Sequence, residues 1–444
     1  MIINFGVWGS QMAYCNNHYR VMKFFLSYLF VLSGIFGIAG ISEAIAKEYF
    51  VAASSGNDKG YGTKEAPFVT LEKGVSVLSP GDTLYVRGGT YTRNHYLWEP
   101  PNGKSWENAI TIKAYQNEKV IIKPLQGYTV FEFKDNSAYI MMGGFIVEGG
   151  HDGFRMGAGS HHIRIFNSEI KNNDHQGIQV SAGTFHEFIN LSIHHNGLTS
   201  QSYETTQSHG IYNNGSNTLT ENCEIFENGG WGIHMFSTSH TPSHNIMRNN
   251  RIYNNNALKS GGPGIGIYRG TNNSVINNII WGNRDGIVVD SGASNTKIYN
   301  NTVYTNERYG MWLGNNSDAS VVKNNFIYMP NDSYGLMISK GSGVSNIENN
   351  LIIGSKAIAP WDPNAILKNN LVGHSYKPGF ADASNHDFHL TKESSAIGKG
   401  LVIAEVKTDF EGVPRDPRGP FDIGAYVFGS SFAPPTDLAI TSYK

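Results

Sequence analysis

Asn278-Ile279-Ile280-Trp281-Gly282-Asn283-Arg284-Asp285-Gly286-Ile287-Val288-Val289 is followed 23 residues later by Asn301-Thr302-Val303-Tyr304-Thr305-Asn306-Glu307-Arg308-Tyr309-Gly310-Met311-Trp312-Leu313. Each stretch opens on Asn, runs through a short alternating apolar segment, crosses a polar turn and reaches a glycine that starts a second alternating segment. The pattern extends in both directions. An Asn column runs Asn167, Asn190, Asn222, Asn250, Asn278, Asn301, Asn325, Asn350 and Asn370, with spacings of 23, 32, 28, 28, 23, 24, 25 and 20 residues. A second column keeps the same phase: Gly153-Phe154, Gly177-Ile178, Gly210-Ile211, Gly232-Ile233, Gly264-Ile265, Gly286-Ile287, Gly310-Met311 and Gly335-Leu336. Two columns in one phase are the signature of a solenoid. Short alternating segments fit β-coils and exclude helical repeats, which need longer runs of period 3.6. The expected fold is all-β, a single-stranded right-handed parallel β-helix of about ten or more coils over residues 47–427.

The rest of the chain agrees with that reading. It has 444 residues, a formal charge of −2 and 40% apolar residues, so no strong field points to nucleic acid or an anionic membrane surface. Fifty-one glycines fit a turn-rich fold. Met22-Lys23, an apolar run over 24–40 and Ala44-Ile45-Ala46 read as a signal peptide cleaved before Lys47, within an N-terminal extension over 1–46. The expected location is therefore outside the cytoplasm, secreted or periplasmic, with no membrane in the mature form. Cleavage would remove Cys15 and leave Cys223 alone, so stability must come from stacking rather than disulfides. A capped solenoid of this kind is expected to be a monomer, and residues 428–444 read as a tail or linker.

In each Gly-Ile-x-Val segment the apolar residues point inward and x points out. Reading x along the stack gives Arg155, Gln179, Tyr212, His234, Gly266, Val288, Trp312 and Met337. The chemically capable members are consecutive, from Arg155 to His234. Arg269 follows the next strand, and His151, His175 and His209 precede glycines of the second column. Coils longer than their neighbours carry insertions over 197–207, 237–243 and 255–262, the last containing Lys259. Insertions in a repeat array mark its functional face. Together these residues predict a groove for a polysaccharide.

The opening Glu48-Tyr49-Phe50-Val51-Ala52, the phrase Gly81-Asp82-Thr83-Leu84-Tyr85-Val86-Arg87-Gly88-Gly89-Thr90-Tyr91 and the closing Asp422-Ile423-Gly424-Ala425-Tyr426 carry a resemblance. They are similar to the ends of secreted bacterial β-helix carbohydrate enzymes, the pectate and alginate lyases above all. That resemblance implies an acidic, uronic acid-containing polysaccharide cleaved by β-elimination. Such cleavage needs the sugar carboxylate neutralised, a base for the C5 proton and an acid for the leaving oxygen. Tyr212 and His234 are the expected proton-transfer pair, and His209 a second base or carboxylate neutraliser. Arg269 or Arg155 would hold the carboxylate, Gln179 and Lys259 would bind substrate, and Trp231 and Trp312 would offer stacking platforms.

The chain departs from the calcium-dependent pectate lyases, whose phrases resemble D-G-F-x-x-K and N-S-D-D-G-W-D. Here stand Asp152-Gly153-Phe154-Arg155-Met156-Gly157 and Asn173-Asp174-His175-Gln176-Gly177-Ile178-Gln179. The Lys position is Gly157, and of the calcium aspartates only Asp152 and Asp174 remain, which puts Ca²⁺ in doubt. The G-H-G and R-x-K phrases of polygalacturonase-type hydrolases and the Asp-Pro-His-Glu of alginate C5-epimerases are absent. Alternative readings are a glycoside hydrolase using Asp285 and Asp290, a uronate C5-epimerase, or a non-catalytic glycan-binding β-helix.

Overall fold

Alternating apolar residues in segments this short can be buried only if successive coils stack, and they stack in parallel register. The computed structural model describes residues 46–93, 97–125, 127–198, 208–255, 262–360 and 362–429. Among these, 13 strands from Glu48–Val51 to Ile366–Lys368 form one face. A second face runs from Gly89–Arg93 through Glu169–Lys171, Arg251–Tyr253 and Ile279–Trp281 to Leu371–Val372. The third carries the Gly-Ile segments: Phe131–Phe133, Phe154–Met156, Ile178–Val180, Ile211–Asn213, Ile233–Phe236, Pro263–Tyr268, Asp285–Asp290 and Tyr309–Leu313. Phe131, Phe154, Ile178, Ile211, Ile233, Ile265, Ile287 and Met311 pair in sequence across this face, and all are buried. Near the first coil, a short helix, Leu71–Ser76, buries Leu71 and Val75, and the Thr70 hydroxyl caps it by accepting the Lys73 N–H at 3.2 Å.

The Asn-Asn pairs have a physical explanation. In Asn249-Asn250, Asn277-Asn278, Asn300-Asn301 and Asn324-Asn325 the first residue is left-handed, with φ between 53° and 57°, and turns the chain from one face to the next. The second points its amide inward. Asn250, Asn278, Asn301, Asn325, Asn350 and Asn370 form a ladder in which each Nδ2 donates to the next Oδ1 at 2.9–3.0 Å. Each Oδ1 also accepts the backbone N–H of the preceding Asn. A parallel ladder links Asn173, Asn196, Asn228, Asn255, Asn283 and Asn306.

The structure divides the Asn column of the sequence in two. Asn167, Asn190 and Asn222 have φ of 47°, 54° and 54° and belong with the turning residues, in line with Asn249 and Asn277. The inward position is Ser168, Leu191 and Cys223 in those coils, so the ladder begins only at Asn250, whose Oδ1 accepts the Cys223 N–H.

After Leu371–Val372 the chain returns along the flank instead of adding coils. The amides of Asn277, Asn300 and Asn324 donate to backbone carbonyls of Thr408, Asp422 and Leu401. Phe388, Ala425 and Tyr426 cover Ile279 and Trp281.

Candidate active site

The pairing register tests the outward column directly. Arg155 pairs with Gln179, Gln179 with Tyr212, Tyr212 with His234, His234 with Gly266, Gly266 with Val288, Val288 with Trp312 and Trp312 with Met337. The column foreseen from sequence is one straight row. Upstream it continues to Glu132, opposite Arg155. Arg155, Glu132 and Lys134 line a depression of about 620 Å³ at that end.

Tyr212 and His234 are neighbours, with ring centroids 5.1 Å apart. Behind them lies His209, fully buried, and its hydrogen bonds fix the polarity of the pair. The Trp231 backbone N–H donates to His209 Nδ1 at 3.1 Å. That nitrogen is therefore an acceptor, and a neutral His209 carries its proton on Nε2. Nε2–H then donates to His234 Nδ1 at 3.0 Å. His234 in turn carries its own proton on Nε2. Burial holds the His209 imidazole neutral, with its pKa depressed to about 3. The same cause, helped by His209, keeps His234 well below the usual imidazole value. The row thus presents a neutral imidazole whose N–H is a donor.

This corrects the role expected for His209. With both nitrogens committed and its ring buried, it can neither take a proton from substrate nor neutralise a carboxylate. Its Nε2 touches His234 and fixes the orientation of that ring. The Gln176 side chain secures His209 further, Oε1 accepting the His209 backbone N–H at 2.7 Å.

Trp231 stands beside the row as a wall, not as an open platform. Its indole lies 3.8 Å from the His234 ring and 5.0 Å from Tyr268. Gly266 interrupts the row because a Cβ there would lie 2.8 Å from Trp231 Cζ3. Burial raises the Tyr212 phenol above its ordinary pKa, and the Asn214 side chain opposes this by hydrogen bonding to it. The 237–243 insertion is tied to the same place, since His240 Nε2 meets the Asn214 carbonyl and Nδ1 lies 3.0 Å from Ser237 Oγ. Asn214, His240 and Tyr268 escaped the sequence reading. Tyr268 sits at the end of the Gly264-Ile265-Gly266-Ile267-Tyr268 segment, two residues beyond the outward position Gly266, and its ring is 5.8 Å from that of His234.

Arg269 is exposed, donates to the Ser237 carbonyl at 3.4 Å and lies 5.6 Å from the Phe236 ring. Neither Arg269 nor Arg155 makes an ion pair with a carboxylate among the described residues. Trp312 lies three strands beyond His234, roughly 14 Å along the stack, and its Nε1 donates to Ser339 Oγ at 2.8 Å. Lys259 falls outside the described residues.

The Asp285/Asp290 alternative loses its geometry. Both Asp285 oxygens are held by Arg308, at 2.9 and 2.6 Å, and the side chain is buried. The two residues begin and end one strand, Asp285–Asp290, which separates their Cα atoms by roughly 16 Å. A hydrolytic carboxyl pair needs about 5–9.5 Å.

The calcium arrangement is not reproduced either. Gly157 leaves no room for a side chain, since a Cβ would lie 2.6 Å from Asp135 Oδ1. Asp152 Oδ1 accepts the Gln176 N–H at 3.0 Å, and the neighbouring donors are the imidazoles of His151 and His175. Calcium takes about six to eight oxygens. These residues do not fit it.

Buried neutral histidines make the fold acid-sensitive. His209 and His186 are both buried with pKa values depressed to about 3. An unfolded histidine titrates near 6.5, so below that pH the unfolded chain takes up protons the folded chain refuses. Stability is complete above about pH 6.5 and falls as the pH drops towards 3, by about 1.4 kcal/mol per unit for each group. With His234 depressed as well, urea titrations at pH 6 and pH 5 should differ by about 3–4 kcal/mol, and His209→Gln should remove roughly a third of that slope.

The fold is a right-handed parallel β-helix, and one face carries a row of side chains that is polar from Glu132 to His234. Residues 49–325 match the family model described as Pel9A-like, right handed beta helix region, and the chain belongs to that family. Over 84 residues it is 30% identical to pectate lyase PEL9 of Emericella nidulans, a stretch covering 19% of this chain and 20% of that one. Over 92 residues it is 29% identical to the uncharacterized protein YwoF of Bacillus subtilis, covering 21% and 19%. The chain therefore spans about a fifth of these curated relatives. The crystal structure of pectate lyase Pel9A superposes with a TM-score of 0.67 at 17% identity, over 86% of this chain and 96% of that one. XylC in complex with xylose gives 0.58 at 12% identity, over 86% and 98%. Likeness at these identities establishes the fold.

Proposed function

We propose that the chain is a secreted lyase that cleaves a uronic acid-containing polysaccharide by β-elimination. The observation that carries this reading is the Tyr212–His234 pair, polarised from behind by His209 and flanked by two arginines with no carboxylate ion pair among the described residues. In this reading the Tyr212 oxygen, as phenolate, takes the C5 proton and returns it to the leaving oxygen on the same face. The His234 Nε2–H donates to the sugar carboxylate as charge builds on it, where a fixed donor is worth most. Arg269 attracts the same carboxylate, and Arg155, about 10 Å upstream, meets a neighbouring sugar. The likeness to pectate lyases over the shared fold supports an acidic substrate.

The test is ultraviolet absorbance of the unsaturated uronate during incubation with pectate, alginate and glucuronan. Absorbance should rise with one of these polymers. Arg269→Ala should raise KM about tenfold or more with a smaller change in kcat, as for loss of a charged contact made before the transition state. Growth of reducing ends at constant absorbance would overturn elimination in favour of hydrolysis.

A further inference from the structure

Where the coil of Arg155 stacks on the coil of Gln179, two imidazoles and a carboxylate converge in a way the elimination chemistry does not use. Ligand atoms of His151, Asp152 and His175 all lie within 4.8 Å of one another. His151 Nδ1 is 3.4 Å from Asp152 Oδ2. That is long for a charge-assisted hydrogen bond, but it matches two ligands of one tetrahedral zinc, which sit about 2.0–2.2 Å from the metal and therefore about 3.3–3.6 Å from each other. The two imidazole rings are adjacent, 3.9 Å between centroids.

Asp152 is the second observation. Its side chain is fully buried, and the cationic group paired with it among the described residues is His151, which carries charge only when protonated. Burial of a carboxylate is costly without a counter-charge. Oδ1 accepts the Gln176 N–H and Oδ2 is only 3.4 Å from the Thr129 hydroxyl, so Oδ2 is the oxygen available to a cation. His151 is half-exposed, which leaves the outer side of the corner open to solvent.

We infer that His151, Asp152 and His175 bind one borderline divalent cation of the zinc class, and that this site discriminates against calcium. Two imidazoles and one carboxylate are the donors that zinc, cobalt and nickel favour, and they offer calcium too few oxygens. Three protein ligands leave a fourth position for water or another oxygen, as in open zinc sites. Gln176 links this corner to the catalytic row, its N–H held by Asp152 and its Oε1 holding the His209 N–H.

The test uses the whole chain after chelator treatment, with zinc chloride and calcium chloride as probes in isothermal calorimetry. Zinc should bind one per chain, and calcium should give no saturable heat. His151→Gln and His175→Gln should each weaken zinc by about tenfold or more. Their circular dichroism and melting temperature without metal must match the parent for the comparison to count. The double variant His194→Gln/His195→Gln, which removes another close imidazole pair, should bind zinc as the parent does. X-ray absorption at the zinc edge should report two imidazole ligands. Absence of one-to-one zinc binding, equal affinity for calcium, or unchanged zinc affinity in both single variants would overturn the site. All these readouts are independent of turnover, so they stand or fall apart from the lyase reading.

Discussion

Tyr212→Phe is expected to lower kcat for elimination by about 10²–10⁴-fold, the range for loss of a positioned proton-transfer group, while leaving the melting temperature unchanged. The buried phenol has a raised pKa, so only a small fraction is phenolate at neutral pH. The logarithm of kcat/KM should therefore climb with pH from about 7 to about 9, with no inflection in the range where a histidine base would titrate. His234 cannot supply that inflection. For Nε2 to act as a base, Nδ1 would have to donate to His209 Nε2, while His209 Nδ1 already accepts from the Trp231 backbone. His209 would then carry no proton at all. His234→Gln, which retains an N–H donor, should keep more activity than His234→Ala, and neither should change the shape of the pH profile. An acid limb near pH 6.5 that disappears in His234→Gln would overturn this assignment and make histidine the base. Nitrogen-15 spectra offer an independent check, because both imidazoles should report the Nε2–H tautomer from about pH 6 to pH 8.

The fold was legible in the sequence because a β-coil repeats its physics every turn. The alternation in Gly-Ile-x-Val names the inward residues, and the register of the third face follows it from Arg155 to Met337 without a slip. The Asn column misled where two adjacent positions in the turn both favour Asn. Asn222 is chosen for its left-handed backbone, Asn250 for its amide, and the one-letter pattern does not separate the reasons. The candidate pair Tyr212 and His234 was legible for the same reason as the fold, since both occupy x. What the sequence could not disclose was depth. His209 stands three residues before Tyr212, and nothing in that spacing says that its ring turns under the row. Trp231 likewise reads as a loop aromatic until Gly266 is seen to make space for it. The glycine gap in the row was the available signal, because an interruption in a polar column asks what fills it.

Asn301→Ala is expected to destabilise the folded chain by about 3–5 kcal/mol, measured as a shift in the urea midpoint at constant slope. The side chain is fully buried and fully used. Its Oδ1 accepts the Asn278 N–H at 2.9 Å and the Asn278 Nδ2 at 3.0 Å, and its Nδ2 donates to the Val275 carbonyl and to Asn325 Oδ1, each at 2.9 Å. Alanine deletes four hydrogen bonds and strands the Asn278 N–H in the interior. Each buried polar group left without a partner costs about 1–3 kcal/mol, more than the same bond contributes net when made. Aspartate keeps the accepting oxygen but brings an ionised group into the core against Asn325 Oδ1, so Asn301→Asp should be at least as damaging. Asn300→Gly is the control. It keeps the left-handed turn at φ 54° without strain and gives up the amide bonds to the carbonyls of Asp422 and Gly424, at 3.2 Å, and the bond its Oδ1 accepts from Asn324 Nδ2 at 3.3 Å. It should cost about 1–2 kcal/mol, because Asn324 Nδ2 keeps the Leu401 carbonyl and no donor is stranded. Equal costs for Asn300→Gly and Asn301→Ala would show that backbone turning, not amide stacking, holds the coils together. A large cost at Asn301 alone places the stability of the solenoid in the ladder, where each coil depends on its neighbours and none is stable by itself.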